Sequence, residues 1–452
     1  MSSRKSSVHI NQIYSPAYLQ GVIRHTCSAG GTHLNHDDPT GMDASAYLLF
    51  MEQEKVAVKL ARAIRHHRFS LSAATARSAM IDGKSRILYR QIPVDLVVTR
   101  AVTGILSALS PPHYSNALYS YQKGTGAIPA ITALRDYFRA HLHNCPDQMQ
   151  RGLYVLKRDI SSYGEAIPIH EASGLWPILK EVTIQPFHAD EQHPFWRLLV
   201  ECIRREVTAT DGERRVLGSG TPTGSPIQPI INNLYLGPLD RMLAGIPGGF
   251  YARYGDDFVF AHPDADAARR AEADMDQLLA RLELRVRDAK RKNVYLTIPG
   301  KSSARWPETL GATGLEFLGC TIAFRGVVSL KKAKARMFLR HVRKRIETVA
   351  NMVDAPISEK GRAICSAVNA ALDPQSLLAE RYAHLLRYIV DDRRQLAHLD
   401  YLLAKMVACT LTRNPSVRAF RKVSYRHIRE EFGLHSLVVL KNMQGKKSRG
   451  GQ

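Results

Sequence analysis

GFYARYGDDFVFAH, residues Gly249–His262, is the stretch from which the fold is read. Aromatic and aliphatic residues run on both sides of a Gly-Asp pair, which is the pattern of two short strands joined by a tight turn. Tyr254-Gly255-Asp256-Asp257 puts two carboxylates next to each other at the tip. Like charges that close are costly unless a cation sits with them. Magnesium suits such a place, because it takes a few carboxylate oxygens and completes its shell with water and phosphate. An ordinary turn with two solvated aspartates would satisfy the same letters, so the hairpin needs company before it means chemistry.

That company lies upstream. LYVLKRDI (Leu153–Ile160) has the β-branched and aromatic content of a strand and ends on a third carboxylate, Asp159. Three carboxylates on neighbouring strands are what a two-metal phosphoryl-transfer site requires. Between them, Gly220-Thr221-Pro222-Thr223-Gly224-Ser225-Pro226-Ile227-Gln228-Pro229 leads into a helix expected over 230–243. Glycines and prolines this dense constrain a loop that can approach a ligand closely, and a loop entering a helix N-terminus can seat a phosphate.

These motifs, with Gly319 beyond them, occur in the order found in reverse transcriptases. The loop resembles the Gly-x-Pro-Gln-Gly-Ser-Pro-x-Ser-Pro string of the prokaryotic members, which include group II intron, retron and defence-associated enzymes. The resemblance spans about 84–345. It implies an α+β fold, a right-hand polymerase with fingers, palm and a helical C-terminal thumb. It also implies an RNA-directed DNA polymerase that uses an RNA template, makes a DNA product and consumes nucleotide triphosphates with two Mg2+ ions, manganese being able to substitute. Asp159, Asp256 and Asp257 become the metal triad, with the Ile160 carbonyl beside them. Lys290, in LRVRDAKRKN, matches a lysine proposed to protonate the leaving pyrophosphate. Lys84 and Arg86 match the fingers strand that grips the triphosphate, and Lys123-Gly124 the next fingers motif. Tyr163, Gly164, Pro222, Gly224, Ser225 and Tyr254 fall at nucleotide-binding positions, and LEFLGCTIAF (Leu315–Phe324) looks like the primer-grip hairpin.

Composition agrees with a polyanion partner. Lys plus Arg number 63 against 41 Asp plus Glu in 452 residues, a net charge of +22. Six scattered cysteines contain no Cys-x-x-Cys pair, and no run of about 18 apolar residues suggests a membrane span. No membrane partner is expected, and the chain reads as cytoplasmic. Residues 1–80 are expected to form an N-terminal helical extension, with one helix from Ser45 to about His67. Fingers and palm follow over 81–325, a helical thumb and C-terminal domain over 326–440, and a basic tail over 441–452. Asp95 is expected to cap a helix, and LELRV (282–286) to form a strand. Residues 331–345 hold eight Lys or Arg and no acid. Ala335, Leu339, Val342, Ile346, Val349 and Val353 form an apolar stripe, so Lys331, Lys332, Lys334 and Arg336 are expected to track nucleic acid.

Departures from the family refine the reading. Thr223 stands for the usual Gln and Gln228 for a usual Ser. Nothing after Arg345 resembles an endonuclease, and with the long helical C-terminus this points to the defence-associated or abortive-infection group. A non-coding RNA or partner protein is a further possible requirement, and the oligomeric state is open. Other readings are an RNA-dependent RNA polymerase or a template-independent polymerase on the same palm, and a catalytically silent nucleic-acid-binding module. The residue five after Asp159 is normally a bulky aromatic under the sugar and here is Gly164. The expectation is weak sugar discrimination. The alternatives are that Tyr163 has moved into the gap, or that the open space admits another substrate.

Overall fold

The computed structural model describes residues 8–28, 44–81, 84–145 and 152–447. In chain order the first elements are α1 (Pro16–Ser28), α2 (Ala44–Met51), α3 (Gln53–Arg65), β1 (Ala74–Ile81), β2 (Lys84–Arg90), α4 (Pro93–Leu109) and α5 (Ala127–Asn144). Next come β3 (Leu153–Asp159), α6 (Tyr163–Ala166), α7 (Leu175–Thr183), α8 (Pro194–Ile203), β4 (Glu206–Thr208), β5 (Arg214–Val216), α9 (Gln228–Tyr235) and α10 (Gly237–Ala244). The hairpin β6 (Phe250–Tyr254) and β7 (Asp257–His262) precedes α11 (Ala265–Arg281), β8 (Lys292–Leu296), β9 (Leu310–Ala312), β10 (Gly314–Phe317), β11 (Cys320–Ala323) and β12 (Val328–Leu330). The chain closes with α12 (Lys332–Met352), α13 (Ile357–Leu372), α14 (Ala383–Tyr388), α15 (Arg393–Thr412), α16 (Tyr425–Glu430) and α17 (Leu437–Lys447). This mixed α+β architecture is the one expected from the sequence.

Two compact units are formed. The first contains Met1–Gly124, Leu156–Phe260 and Asp266–Lys292, and the second Thr125–Val155, Ala261–Ala265 and Asn293–Gln452. In the first unit a sheet runs β2-β1-β4-β5, with β1 antiparallel to β2 and parallel to β4. Pro93 opens α4, where a missing N–H costs nothing. The apolar face of α4 (Val97, Val98, Ala101, Val102, Ile105, Leu106) is fully enclosed. Asp95 does not cap this helix. It is buried, accepts the Ser72 N–H at 2.9 Å and pairs with Arg205 Nη2 at 2.5 Å, because this first-turn carboxylate faces the core.

Several expected elements are subdivided or replaced. The Ser45–His67 helix is broken near Glu52 into α2 and α3. The helix expected over 230–243 is split where Gly237-Pro238 begins α10. LELRV is not a strand; only Val286 makes a β-bridge, to Ile160. The polar N-terminal stretch contains α1, and the hairpin β1–β2 crosses the expected 80/81 boundary.

The second unit is built on the sheet β10-β11-β12 and the helices from α12 onward. In α12 the buried face is Phe338, Val342 and Ile346, so Phe338 joins the stripe that Ala335 was expected to begin. Gln395 braces β12 by accepting the Leu330 N–H at 2.6 Å and donating to the Leu330 carbonyl at 2.7 Å. Asp400 accepts from Ser436 Oγ at 2.6 Å and the Leu437 N–H at 2.8 Å, which satisfies free donors at the start of α17. Residues 437–447, expected in part as tail, are therefore helical, and 448–452 lie outside the described residues. Among the described residues no helix is long and apolar enough to cross a membrane.

A second buried ion pair braces the first unit beside the β6–β7 hairpin. Arg253 on β6 and Asp240 on α10 are fully enclosed and joined twice, Nε to Oδ1 at 2.7 Å and Nη2 to Oδ2 at 2.6 Å. Tyr251 donates a further bond to Asp240 Oδ1 at 2.8 Å. Removing one member of such a pair strands a buried charge, at a cost of about 3–5 kcal/mol. Asp240→Ala should lose that much stability in urea unfolding, whereas Asp266→Ala, which removes an exposed pair with Arg269, should change little. A near-native midpoint for Asp240→Ala would contradict this reading.

Candidate active site

Gly255 turns the β6–β7 hairpin with φ of +65°, a backbone angle that glycine adopts without strain. Its carbonyl accepts from Arg253 Nη1 at 3.1 Å and its N–H donates to Ser120 Oγ at 3.0 Å. Ser120 in turn donates to Asn233 Oδ1 at 3.0 Å. The backbone of Arg253 is also paired on its other edge, its N–H to the Ala117 carbonyl at 2.9 Å and its carbonyl to the Tyr119 N–H at 2.8 Å. The tip carrying Asp256 and Asp257 is thus held from both sides.

Asp159 arrives on β3. The preceding residue, Arg158, is wholly buried and donates to Glu272 Oε1 of α11 at 2.5 Å and to the Lys292 carbonyl at 3.1 Å. This anchors the end of the strand, and the Ile160 N–H reaches the Asp256 carbonyl at 3.3 Å. Burial, with smaller like-charge repulsion from Asp159, raises the Asp256 pKa. Burial also pushes Asp257 up to about 6, against the pull of Lys157. Asp257 Oδ1 is buried and makes no hydrogen bond of normal geometry, although Lys157 Nζ lies 3.3 Å away.

The three carboxylates therefore share one electrostatic neighbourhood, but they do not form a ready-made ion site. Lys290 Nζ is bonded to Asp159 Oδ2, and Lys157 is paired with Asp257. Among the described residues no three acidic, histidine or cysteine side chains are gathered tightly enough to hold an ion as they stand. The expected gathering of all three carboxylates is not seen, and two of them, Asp159 and Asp257, are each paired with a lysine. The donor set still fits a hard divalent cation. It offers carboxylate oxygens on adjacent strand ends, a neighbouring carbonyl at Ile160, and a buried oxygen on Asp257 lacking a good hydrogen bond.

Lys290 reaches Asp159 because residues 285–290 run against 159–161. Ser161 N–H donates to the Arg285 carbonyl at 3.4 Å, and Arg287 Nε donates to Ser161 Oγ at 2.8 Å. Arg86 on β2 is exposed, yet close enough to favour the charged form of Asp256. The Lys84 backbone pairs with Ile81, while its side chain lies outside the described residues. Tyr254 stands near Tyr121, a largely exposed ring at φ of +54° that sequence reasoning passed over.

The Gly220–Pro229 loop is folded onto the turn after β3. Gly220 adopts φ of +69°, and a Cβ there would fall 2.5 Å from the Glu165 Cα. Ser219 Oγ donates to the Glu165 carbonyl at 2.7 Å, and the Thr223 carbonyl accepts from the Tyr89 N–H of β2 at 2.9 Å. Pro222 and Ser225 are buried, with the Ser225 N–H on the Pro222 carbonyl at 2.9 Å, while Gly224 is exposed at φ of +96°.

Gly164 does not leave a gap. A Cβ there would meet Gln228 Nε2 at 2.7 Å and Asn232 Nδ2 at 3.3 Å. The Gln228 carboxamide occupies the space and leans on the Gly164 carbonyl at 3.3 Å. Tyr163 has not moved in either; its ring is buried and its hydroxyl donates to the Asn232 carbonyl at 2.6 Å. The open space expected at position 164 is corrected accordingly.

In the second unit, LEFLGCTIAF forms the expected hairpin β10–β11, with Leu318 and Gly319 at positive φ on its tip. Of the four basic residues assigned to nucleic acid, Lys332 and Arg336 are exposed. Lys331 is paired with Glu316 at 2.5 Å, and Lys334 lies 5.5 Å from the centre of the Tyr382 ring.

No curated protein matches the chain in sequence. Among solved structures, telomerase from Candida albicans, solved with a fragment of telomeric RNA, aligns at 11% identity and TM-score 0.44, covering 88% of this chain and 70% of that one. Apo telomerase from Candida tropicalis aligns at 11% identity and TM-score 0.44 over 82% of this chain and 64% of that one. A form truncated of its C-terminal domain gives 11% and 0.43 over 69% and 77%. These likenesses are too slight to build on. The family profile for reverse transcriptase (RNA-dependent DNA polymerase), by contrast, matches residues 83–322, more than half of the chain and the whole of the aspartate, loop and lysine constellation just described. The chain belongs to the reverse transcriptase family.

Proposed function

We propose that the protein is a prokaryotic reverse transcriptase of the defence-associated group, copying RNA into DNA by two-metal phosphoryl transfer. The carrying observation is the common neighbourhood of Asp159, Asp256 and Asp257 at the ends of β3 and β7. Magnesium, or manganese in its stead, would be held by these carboxylates and the Ile160 carbonyl. When bound, such ions supply charge for the attacking 3′-hydroxyl and the departing pyrophosphate. Arg86 meets the triphosphate beside Asp256. The 3′-oxygen would form its bond to the α-phosphorus and lose its proton to solvent while the bond to pyrophosphate breaks, and Lys290, no longer paired with Asp159, would donate a proton to that leaving group. Lys332 and Arg336 carry phosphate contacts along the thumb. The Gly220–Pro229 string and the long helical C-terminal region support the subgroup, and a non-coding RNA or partner protein fits its biology.

Replacing Asp256 with Ala removes a charge that destabilises the tip, so the variant should fold while losing incorporation of nucleotides on an RNA template. The same variant should lose any protection of a bacterial host in phage plating. Normal primer extension by Asp256→Ala would refute the site. Lost extension with intact protection would refute the link to defence.

Sugar choice passes from position 164 to Gln228 in this reading. The native enzyme should therefore prefer deoxynucleotides, contrary to the weak discrimination that glycine alone implies. Contacts of this kind are worth about 1–3 kcal/mol. Gln228→Ala should raise ribonucleotide incorporation relative to deoxynucleotide by roughly tenfold or more. An unchanged ratio in single-nucleotide incorporation assays would show that Gln228 does not guard the sugar.

A further inference from the structure

We propose that a surface of the second unit, centred on Tyr401 and Tyr425, binds unpaired nucleotides and is separate from the residues that polymerise. From Tyr401 to Arg429 the chain has seven Lys or Arg and no Asp or Glu. This segment lies outside the stretch matched to the reverse transcriptase family, which ends at 322.

The rings form a row. Tyr401 on α15 and Phe420 on the short turn Val417–Arg421 have centroids 6.0 Å apart, and Phe420 and Tyr425 on α16 are 6.4 Å apart. Tyr401 and Tyr425 remain 39% and 41% exposed, so the two residues that flank Phe420 in this row both reach solvent. Tyr425 is also fixed in place. The Arg429 guanidinium lies 5.1 Å from its ring centre and donates to its hydroxyl at 3.0 Å, and Arg429 itself is tied to the Leu434 carbonyl at 3.0 Å. A ring already held loses little freedom when a base stacks on it.

Beside the row the chain carries both paired and free cations, Arg429 being held by Asp400 at 3.3 Å. Arg418, Arg421 and Lys422 are exposed and make no side-chain ion pair or hydrogen bond among the described residues, while Arg426 is paired with Glu430 at 2.7 Å. Free cations interleaved with exposed rings suit single-stranded nucleic acid, whose phosphates the cations neutralise while bases stack on the rings. The acids nearest the row, Glu430 and Glu431, already have partners in Arg426 and His427, so the unpaired charge is positive and suits a polyanion.

The test uses the full chain and ultraviolet crosslinking to two probes, an oligouridine containing 4-thiouridine and the matching oligodeoxythymidine containing 4-thiothymidine. Crosslinks are expected on peptides containing Tyr401 or Tyr425, and the probe that gives them identifies RNA or DNA as the ligand. Arg418→Gln, Arg421→Gln and Lys422→Gln together should lower the yield several-fold and leave extension of a pre-annealed primer unchanged. These exposed changes should fold, and Tyr401→Ala should lower the yield as well. Absence of crosslinks on these peptides, or a yield unchanged by the charge variant, would overturn the proposal and leave the surface to a protein. A parallel fall in primer extension would overturn its separateness.

Discussion

The Arg253 guanidinium is enclosed by protein and gripped at two points by Asp240, and the geometry of the active site hangs on that grip. One arm of the same guanidinium reaches forward to the Gly255 carbonyl and another to the Asn233 carbonyl at 3.0 Å. A single buried cation thereby joins the helix α10, the end of α9 and the tip that carries Asp256. Burying such a pair is expensive unless every hydrogen-bonding position is used, and here Tyr251 fills a further position on the carboxylate. The tip's position is consequently coupled to the core rather than left to a solvated turn.

A tip held this firmly brings together charges that repel. Asp256 and Asp257 are kept less acidic than ordinary carboxyl groups chiefly by burial, with Asp159 adding to the penalty. Lys157 and Lys290 relieve part of it by pairing with Asp257 and Asp159. Both pairs are of a kind that a divalent ion can replace, since an ion serves several carboxylates at once while an ammonium serves one.

The local parts of this arrangement were legible in the sequence. Strand β3 and the β6–β7 hairpin announced themselves through β-branched and aromatic runs and a glycine turn, and the three aspartates followed from them. Lys157 could have been found too, because it lies two residues before Asp159 and shares its strand face. The breaks at Glu52 and Gly237-Pro238 were missed since apolar periodicity continues across them. Contacts between distant segments were not legible. Arg253 and Asp240 are thirteen residues apart and look like surface charges until both are enclosed. Gly164 reads as an empty position, and only the fold brings Gln228, sixty-four residues later, into its space.

The central claim is that Asp159, Asp256 and Asp257 form one cation-binding site despite their pairing with lysines. Titration of manganese(II) into the native protein and into Asp159→Asn, with free ion followed by electron paramagnetic resonance, addresses it most directly. The native protein should withdraw manganese from solution, and Asp159→Asn should bind it markedly more weakly while keeping the native unfolding midpoint. Equal binding by the two proteins would contradict the claim.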